Sequence, residues 1–147
     1  MHGQYDQPLN ETGIKQAQAA GQAMKNLSFD KAHSSDLKRA LKTCQSVLEA
    51  NQSSEIKVED IICHEVLRER SFGIHECVTL EDWQKMAKEA DVEEYDFRPQ
   101  GGENTVDVTA RARKFLEVCT GSAISFGPVI RASFPKVCYC KQQNNLC

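Results

Sequence analysis

The stretch Ser34-Ser35-Asp36-Leu37-Lys38-Arg39-Ala40 puts an arginine in the first turn of a predicted helix, just after a short predicted strand. Backbone N–H groups and the helix dipole favour an anion at such a place. A guanidinium adds a fork of donors that matches phosphate oxygens. Arg39 is therefore a candidate phosphate ligand, and a solvated helix arginine is the other reading of the same residue. Farther along, Glu69 lies between Arg68 and Arg70. A carboxyl group held among cations suits a general acid, and a surface charge run is its alternative. His2, followed by Gly3, is the third group of interest, as a candidate nucleophile. His33, His64 and His75 read as surface or internally satisfied histidines.

These residues need a scaffold. Ile14, Ala17, Gly21, Met24 and Leu27 recur at helical spacing and predict a helix over 12–27, capped by Asn10 or Thr12. A short strand is predicted over 29–33. A second helix is predicted over 37–50, with Leu37, Leu41, Cys44, Val47 and Leu48 on its buried stripe and Ser35 as its cap. A strand region is predicted over 56–66. Thr79-Leu80-Glu81-Asp82 has the form of a capping box opening a helix to about residue 90. Residues 91–102 read as a loop, with Pro99, Gly101 and Gly102 as breakers. A last helix is predicted from Asn104 or Thr105 to about Val118, and Ala123–Phe126 reads as a strand. Alternating helices and short strands predict an α/β fold. The tail, residues 136–147, is polar, Cys-containing and aperiodic, and reads as disordered.

Four motifs occur in order: Pro8-Leu9-x-x-Thr12-Gly13; Ser34-Ser35-Asp36-Leu37-x-Arg39-Ala40-x-x-Thr43; Leu67-x-Glu69-Arg70-x-x-Gly73-x-x-Glu76; and Gly101-Gly102-Glu103. Each is weak alone, but the ordered set resembles the histidine phosphatase (phosphoglycerate mutase-like) superfamily over residues 4–118. Leu67-Arg68-Glu69-Arg70, Met86-Ala87-Lys88 and Pro99-x-Gly101-Gly102-Glu103 resemble its fructose-2,6-bisphosphatase-type members most closely. The resemblance implies a three-layer α/β sandwich with a mostly parallel sheet, incomplete at both ends, as a partial domain over 1–135. It implies phosphomonoester hydrolysis of a sugar bisphosphate through a phosphohistidine, with no metal or organic cofactor. Arg39 would be the pocket arginine and Glu69 the acid/base carboxylate, while Arg70, Gly101 and Gly102 would face the substrate.

The resemblance also answers the question of His2. In the family, Arg-His-Gly ends the first strand, well upstream of Pro-Leu. His2 stands six residues before Pro8, with Met1 where arginine would be. Gly3-Gln4-x-Asp6-x-Pro8-Leu9 instead resembles the family's later loop. The nucleophilic histidine and its strand are therefore expected to be absent, and the chain to be inactive. A non-catalytic phosphate-binding protein is the rival reading. Ser125-Phe126-Gly127-Pro128-Val129-Ile130-Arg131 has the outline of the family's second histidine motif, with phenylalanine in the histidine position. Phe72 stands where tyrosine is common, Cys77 where glycine is common, and Asn104 where serine or threonine is usual.

Composition narrows the rest. The 147 residues suit one domain. A net charge of -3 gives no sign of a nucleic-acid partner. No apolar run reaches a membrane span and no signal segment is evident, so a cytoplasmic location is expected. The seven cysteines are odd in number, irregularly spaced and without Cys-x-x-Cys, which predicts free thiols. Cys138-x-Cys140 with Cys147 lacks a fourth ligand and a histidine partner, so no metal site is expected.

Overall fold

The computed structural model describes residues 2–120 and 137–140. Helix α1 spans Glu11–Ala23, strand β1 Lys31–Ser35, helix α2 Lys38–Ala50 and strand β2 Ile62–His64. Helix α3 spans Leu80–Glu89, helix α4 Thr105–Thr120 and strand β3 Val137–Cys140. Short 3-10 turns occur at Val58–Asp60, Glu65–Leu67 and Gly73–His75. The fold is α/β, and its contacts group into two compact units, each discontinuous in sequence.

One unit comprises residues 7–67 and 137–140. Its sheet has the order β2-β1-β3. β1 and β2 are parallel, with Ser34 opposite Cys63, as an α/β chain requires. β3 adds an antiparallel pairing on the other side of β1, with Ala32 opposite Tyr139. The tail read as aperiodic thus supplies a strand, whose Val and Tyr have the β-propensity to form one. The predicted strand over 123–126 and the Ser125–Arg131 motif lie outside the described residues.

Asn10 caps α1, its side chain accepting from the Gly13 N–H at 2.8 Å. The helix ends at Ala23, sooner than its apolar spacing predicts, and Ile14 and Leu27 are exposed. Gly21 explains how the helix packs. A Cβ there would lie 2.6 Å from the Ser46 carbonyl oxygen, so the bare backbone lets α1 approach α2 closely. Beneath α2, Phe29, Ala32, Cys44, Val47 and Leu48 form the buried core of this unit. Asn51 ties its connections together, donating to the Met24 and Leu27 carbonyls and accepting from the Ser53 and Ser54 N–H groups.

His33 of β1 is buried and lies 3.0 Å, Nδ1 to Nε2, from His64 of β2. One ring donates and the other accepts. Burial, then the neighbouring His64 and Lys31, hold His33 below the ordinary histidine value of 6.5. The unfolded chain therefore binds a proton that the folded chain resists. Stability is complete above the unfolded value and falls as the pH drops below about 6.5. Urea midpoints measured at pH 7.5, 6.5 and 5.5 are expected to decline, with a shallower decline in His33→Phe. A midpoint that rises toward acid would contradict this assignment.

The other unit comprises residues 2–6 and 68–120. Thr79 caps α3, accepting from the Asp82 N–H at 3.1 Å. Asn104 and Asp107 cap α4 reciprocally: Asn104 Oδ1 accepts from the Asp107 N–H, and Asp107 Oδ2 from the Asn104 N–H. Trp83 is 2% exposed, with Phe72 and Phe97 meeting it edge to face at 4.7 and 5.0 Å between centroids. Phe72 thus serves as a core ring at the place where the family often has tyrosine. Cys77 has φ +67°, a conformation that explains why glycine is common there.

Candidate functional site

Arg39 occupies the first turn of α2, beyond the buried end of β1. The helix opens at Leu37, whose N–H donates to Ser35 Oγ at 3.3 Å, so the predicted cap engages the entry to the helix rather than its first turn. Arg39 is half-buried, and its own carbonyl accepts from Thr43 Oγ1 at 2.8 Å. The strand–loop–helix setting inferred for a phosphate-binding arginine is therefore present.

Glu69 belongs to the other unit, on an irregular segment, and is half-buried. Two side chains reach its carbonyl oxygen: Gln4 Nε2 at 3.1 Å and Arg111 Nη2 at 3.2 Å. Arg111, on α4, also grips both oxygens of Glu103, with Nε to Oε1 at 2.8 Å and Nη2 to Oε2 at 3.0 Å. This bidentate pair is largely screened from solvent, with 18% and 23% side-chain exposure. Glu103 Oε2 also accepts the Ser71 N–H at 3.0 Å.

Arg70, which the resemblance sets toward the substrate, is bonded to backbone carbonyls. Its guanidinium donates to the Glu103 carbonyl at 2.7 Å, to those of Glu94 and Tyr95, and to that of Phe97. It also lies 4.9 Å from the Trp83 ring centroid and 5.6 Å from that of Phe72. Burial lowers its pKa from the ordinary value, while Glu103, Asp107 and Asp96 oppose the shift. The physical reason for its placement is the loop over 94–103, whose carbonyls lack strand or helix partners; those of Glu94, Tyr95, Phe97 and Glu103 find a donor in this one side chain. Arg70 is a clamp on that loop.

Gly101 and Gly102 also serve the loop. Gly101 has φ +70°, and the Gly102 N–H donates to the Pro99 carbonyl at 3.0 Å, closing a turn. A Cβ on Gly102 would meet the Ser71 carbonyl oxygen at 2.8 Å, so the turn lies directly against residues 71–73. The Glu103 N–H donates to the Ser71 carbonyl and the Ile74 N–H to that of Gln100, at 2.9 and 3.2 Å.

Sequence reasoning did not single out Gln4, Glu76, Glu103 or Arg111 for a role. Glu76 and Glu103 stand inside the quoted motifs, where an acid at a fixed offset from glycine was the available signal. Gln4 stands inside the quoted Gly3–Leu9 stretch without a role, and nothing in the sequence marks Arg111; the Glu69 carbonyl they reach is tens of positions from each. Among the described residues, Cys44, Cys63, Cys77 and Cys119 form no disulfide, and no group of three or more His, Cys, Asp or Glu side chains forms a metal-binding cluster. No described helix is long and apolar enough to cross a membrane.

The architecture corresponds to that of known phosphate-ester enzymes. A phosphoglycerate mutase from Bacillus anthracis superposes with a TM-score of 0.71 at 27% identity, over 82% of this chain and 60% of that one. A mycobacterial glucosyl-3-phosphoglycerate phosphatase, in complex with inorganic phosphate, superposes at 0.64 and 30% identity, over 83% of this chain and 57% of that one. The fold is thus of the phosphoglycerate mutase-like α/β class. Residues 1–123 match the histidine phosphatase superfamily (branch 1), and the chain belongs to that family. Fructose-2,6-bisphosphatase TIGAR of Xenopus tropicalis is 42% identical over 113 residues, which are 76% of this chain and 40% of that protein. The chain spans about two fifths of that relative's length.

Proposed function

We propose that the chain carries part of the site of a fructose-2,6-bisphosphatase-type phosphatase and, as these 147 residues, binds a phosphorylated sugar without turning it over. The observation that carries the substrate class is the 42% identity to a fructose-2,6-bisphosphatase, together with the ordered motifs around Arg39 and Glu69. In this reading Arg39 takes phosphoryl oxygens in its donor fork. Glu69 holds the place of the acid that, in the parent chemistry, gives its proton to the leaving sugar oxygen as an imidazole bonds to phosphorus and the P–O bond breaks. The Gly101-Gly102 turn shapes the loop beside residues 71–73, and Arg70 holds that loop in place. No metal or organic cofactor is required by this chemistry. Withdrawal of a sugar bisphosphate by binding would be its contribution to the control of glycolysis.

The absence of turnover follows from the nucleophile. Splitting the displacement into two steps requires an imidazole that bonds to phosphorus and is later released by water. The histidines are His2, His33, His64 and His75. His33 and His64 are bonded to each other. His2 is exposed and follows Met1 where the motif has arginine. Phosphate release from fructose-2,6-bisphosphate and from an aryl phosphate is expected to match a protein-free control. Turnover that disappears in Arg39→Ala would contradict the non-catalytic reading, and turnover that disappears in His2→Ala would make His2 the nucleophile.

A further inference from the structure

We propose that Gln4 and Arg111 are positioning residues for Glu69, an inference that rests on the reading of Glu69 as the proton donor. A carbonyl oxygen offers two lone pairs, and that of Glu69 has a donor for each. Both donors are themselves held. The Gln4 N–H donates to Glu76 Oε2 at 3.0 Å, and Glu76 Oε1 accepts the Phe72 N–H at 2.8 Å. Gly3 lies so close to that carboxylate that a Cβ would stand 2.2 Å from Oε2, and its φ of +48° favours glycine as well. On the other side, Arg111 is locked by both oxygens of Glu103, and Glu103 Oε2 also takes the Ser71 N–H.

The consequence is a backbone from Glu69 to Phe72 fixed by two carboxylates, Glu76 and Glu103, and by two donors remote in sequence. A general acid acts only within hydrogen-bond reach of the oxygen it protonates, and a misplacement of about 1 Å costs on the order of a hundredfold in rate. The Glu69 side chain leaves a Cα whose position this double clamp sets. Gln4 adds a further link, because it ties residues 2–6 to the peptide of the acid.

The test uses the full chain labelled with carboxyl-13C glutamate, with the Glu69 resonance assigned by its loss in Glu69→Gln. A general acid lies within hydrogen-bond reach of the oxygen it protonates, so bound fructose-2,6-bisphosphate displaces the resonance of a carboxyl group placed for that role. In the wild-type chain the Glu69 resonance is expected to move when this sugar bisphosphate is added. In Gln4→Met and in Arg111→Lys the affinity is expected to stay within about threefold, while the displacement falls to less than half. Gln4→Met removes one of the two donors and keeps the chain length, so it decides the matter if Arg111→Lys does not fold. A full displacement in both variants overturns the positioning role and leaves Glu69 as the acid. No displacement in the wild-type chain overturns both the role and the reading beneath it.

Discussion

Trp83→Ala is expected to destabilise the unit formed by residues 2–6 and 68–120 by about 3–5 kcal/mol, the usual cost of removing a large buried aromatic side chain. The ring is 2% exposed, and two other rings meet it edge to face. Its loss leaves a cavity between Phe72 and Phe97 that those rings cannot both fill. It also removes the face on which the Arg70 guanidinium lies, and with it the indole N–H directed at the Glu94 carbonyl at 3.4 Å. The loop over 94–103 then loses part of its support, and the Gly101-Gly102 turn with it. Domains are stable by only about 5–15 kcal/mol, so a loss of this size takes a large share of the whole. Urea denaturation followed by circular dichroism measures it, because Trp83 is the only tryptophan and fluorescence would vanish with it. Trp83→Phe should cost less than half as much. A loss below about 1 kcal/mol in the alanine variant would show that the ring is not the centre of this core.

Arg39→Ala is expected to weaken binding of fructose-2,6-bisphosphate about 10- to 100-fold. A hydrogen bond to a charged group is worth about 1.5–3 kcal/mol, and each 1.4 kcal/mol is a factor of ten. The residue stands in the first turn of α2, where the helix dipole adds its field to that of the guanidinium. Arg39→Lys keeps the charge but not the planar fork and should fall between the two. Isothermal titration at two salt concentrations separates the contributions, since exposed charges are screened and a bidentate contact in a recess is screened less. Equal affinity in the wild-type and alanine chains would remove Arg39 from the site.

Much of the fold was legible because its signals are local. The caps at Asn10, Thr79 and Asn104 are each satisfied within three residues of the capping side chain, so sequence spacing exposes them. The buried stripe of α2 was read from periodicity, and Cys44, Val47 and Leu48 are buried as that reading requires. Ile14 and Leu27 are the counter-example. Their spacing continues the stripe of α1, but the buried face of the helix is centred on Ala17 and Gly21, with Gly21 against α2, and the helix ends before Leu27. Small residues that permit close approach carry no hydrophobic signal. The strand at Val137–Cys140 was missed because its pairing with β1 is almost entirely long-range.

The candidate site divides in the same way. Arg39 and Glu69 are candidates from residue type and motif order. Arg70 was set toward the substrate by motif alone, and its bonds to the carbonyls of a loop more than twenty residues downstream were not legible, because no local spacing reports them. The Gln4 and Arg111 contacts to the Glu69 carbonyl link positions 65 and 42 residues apart. No spacing rule reaches that far.

The central claim is that this chain holds a sugar bisphosphate without transferring its phosphoryl group. Incubation with fructose-2,6-bisphosphate carrying 32P at the 2-phosphate, followed by separation of protein-bound, free and released label, tests it most directly. The account predicts label that stays with the native chain, is released intact as sugar bisphosphate on denaturation, and is not retained in Arg39→Ala. Base-stable, acid-labile label remaining on the denatured polypeptide, the signature of a phosphohistidine, would contradict it, as would accumulation of labelled inorganic phosphate.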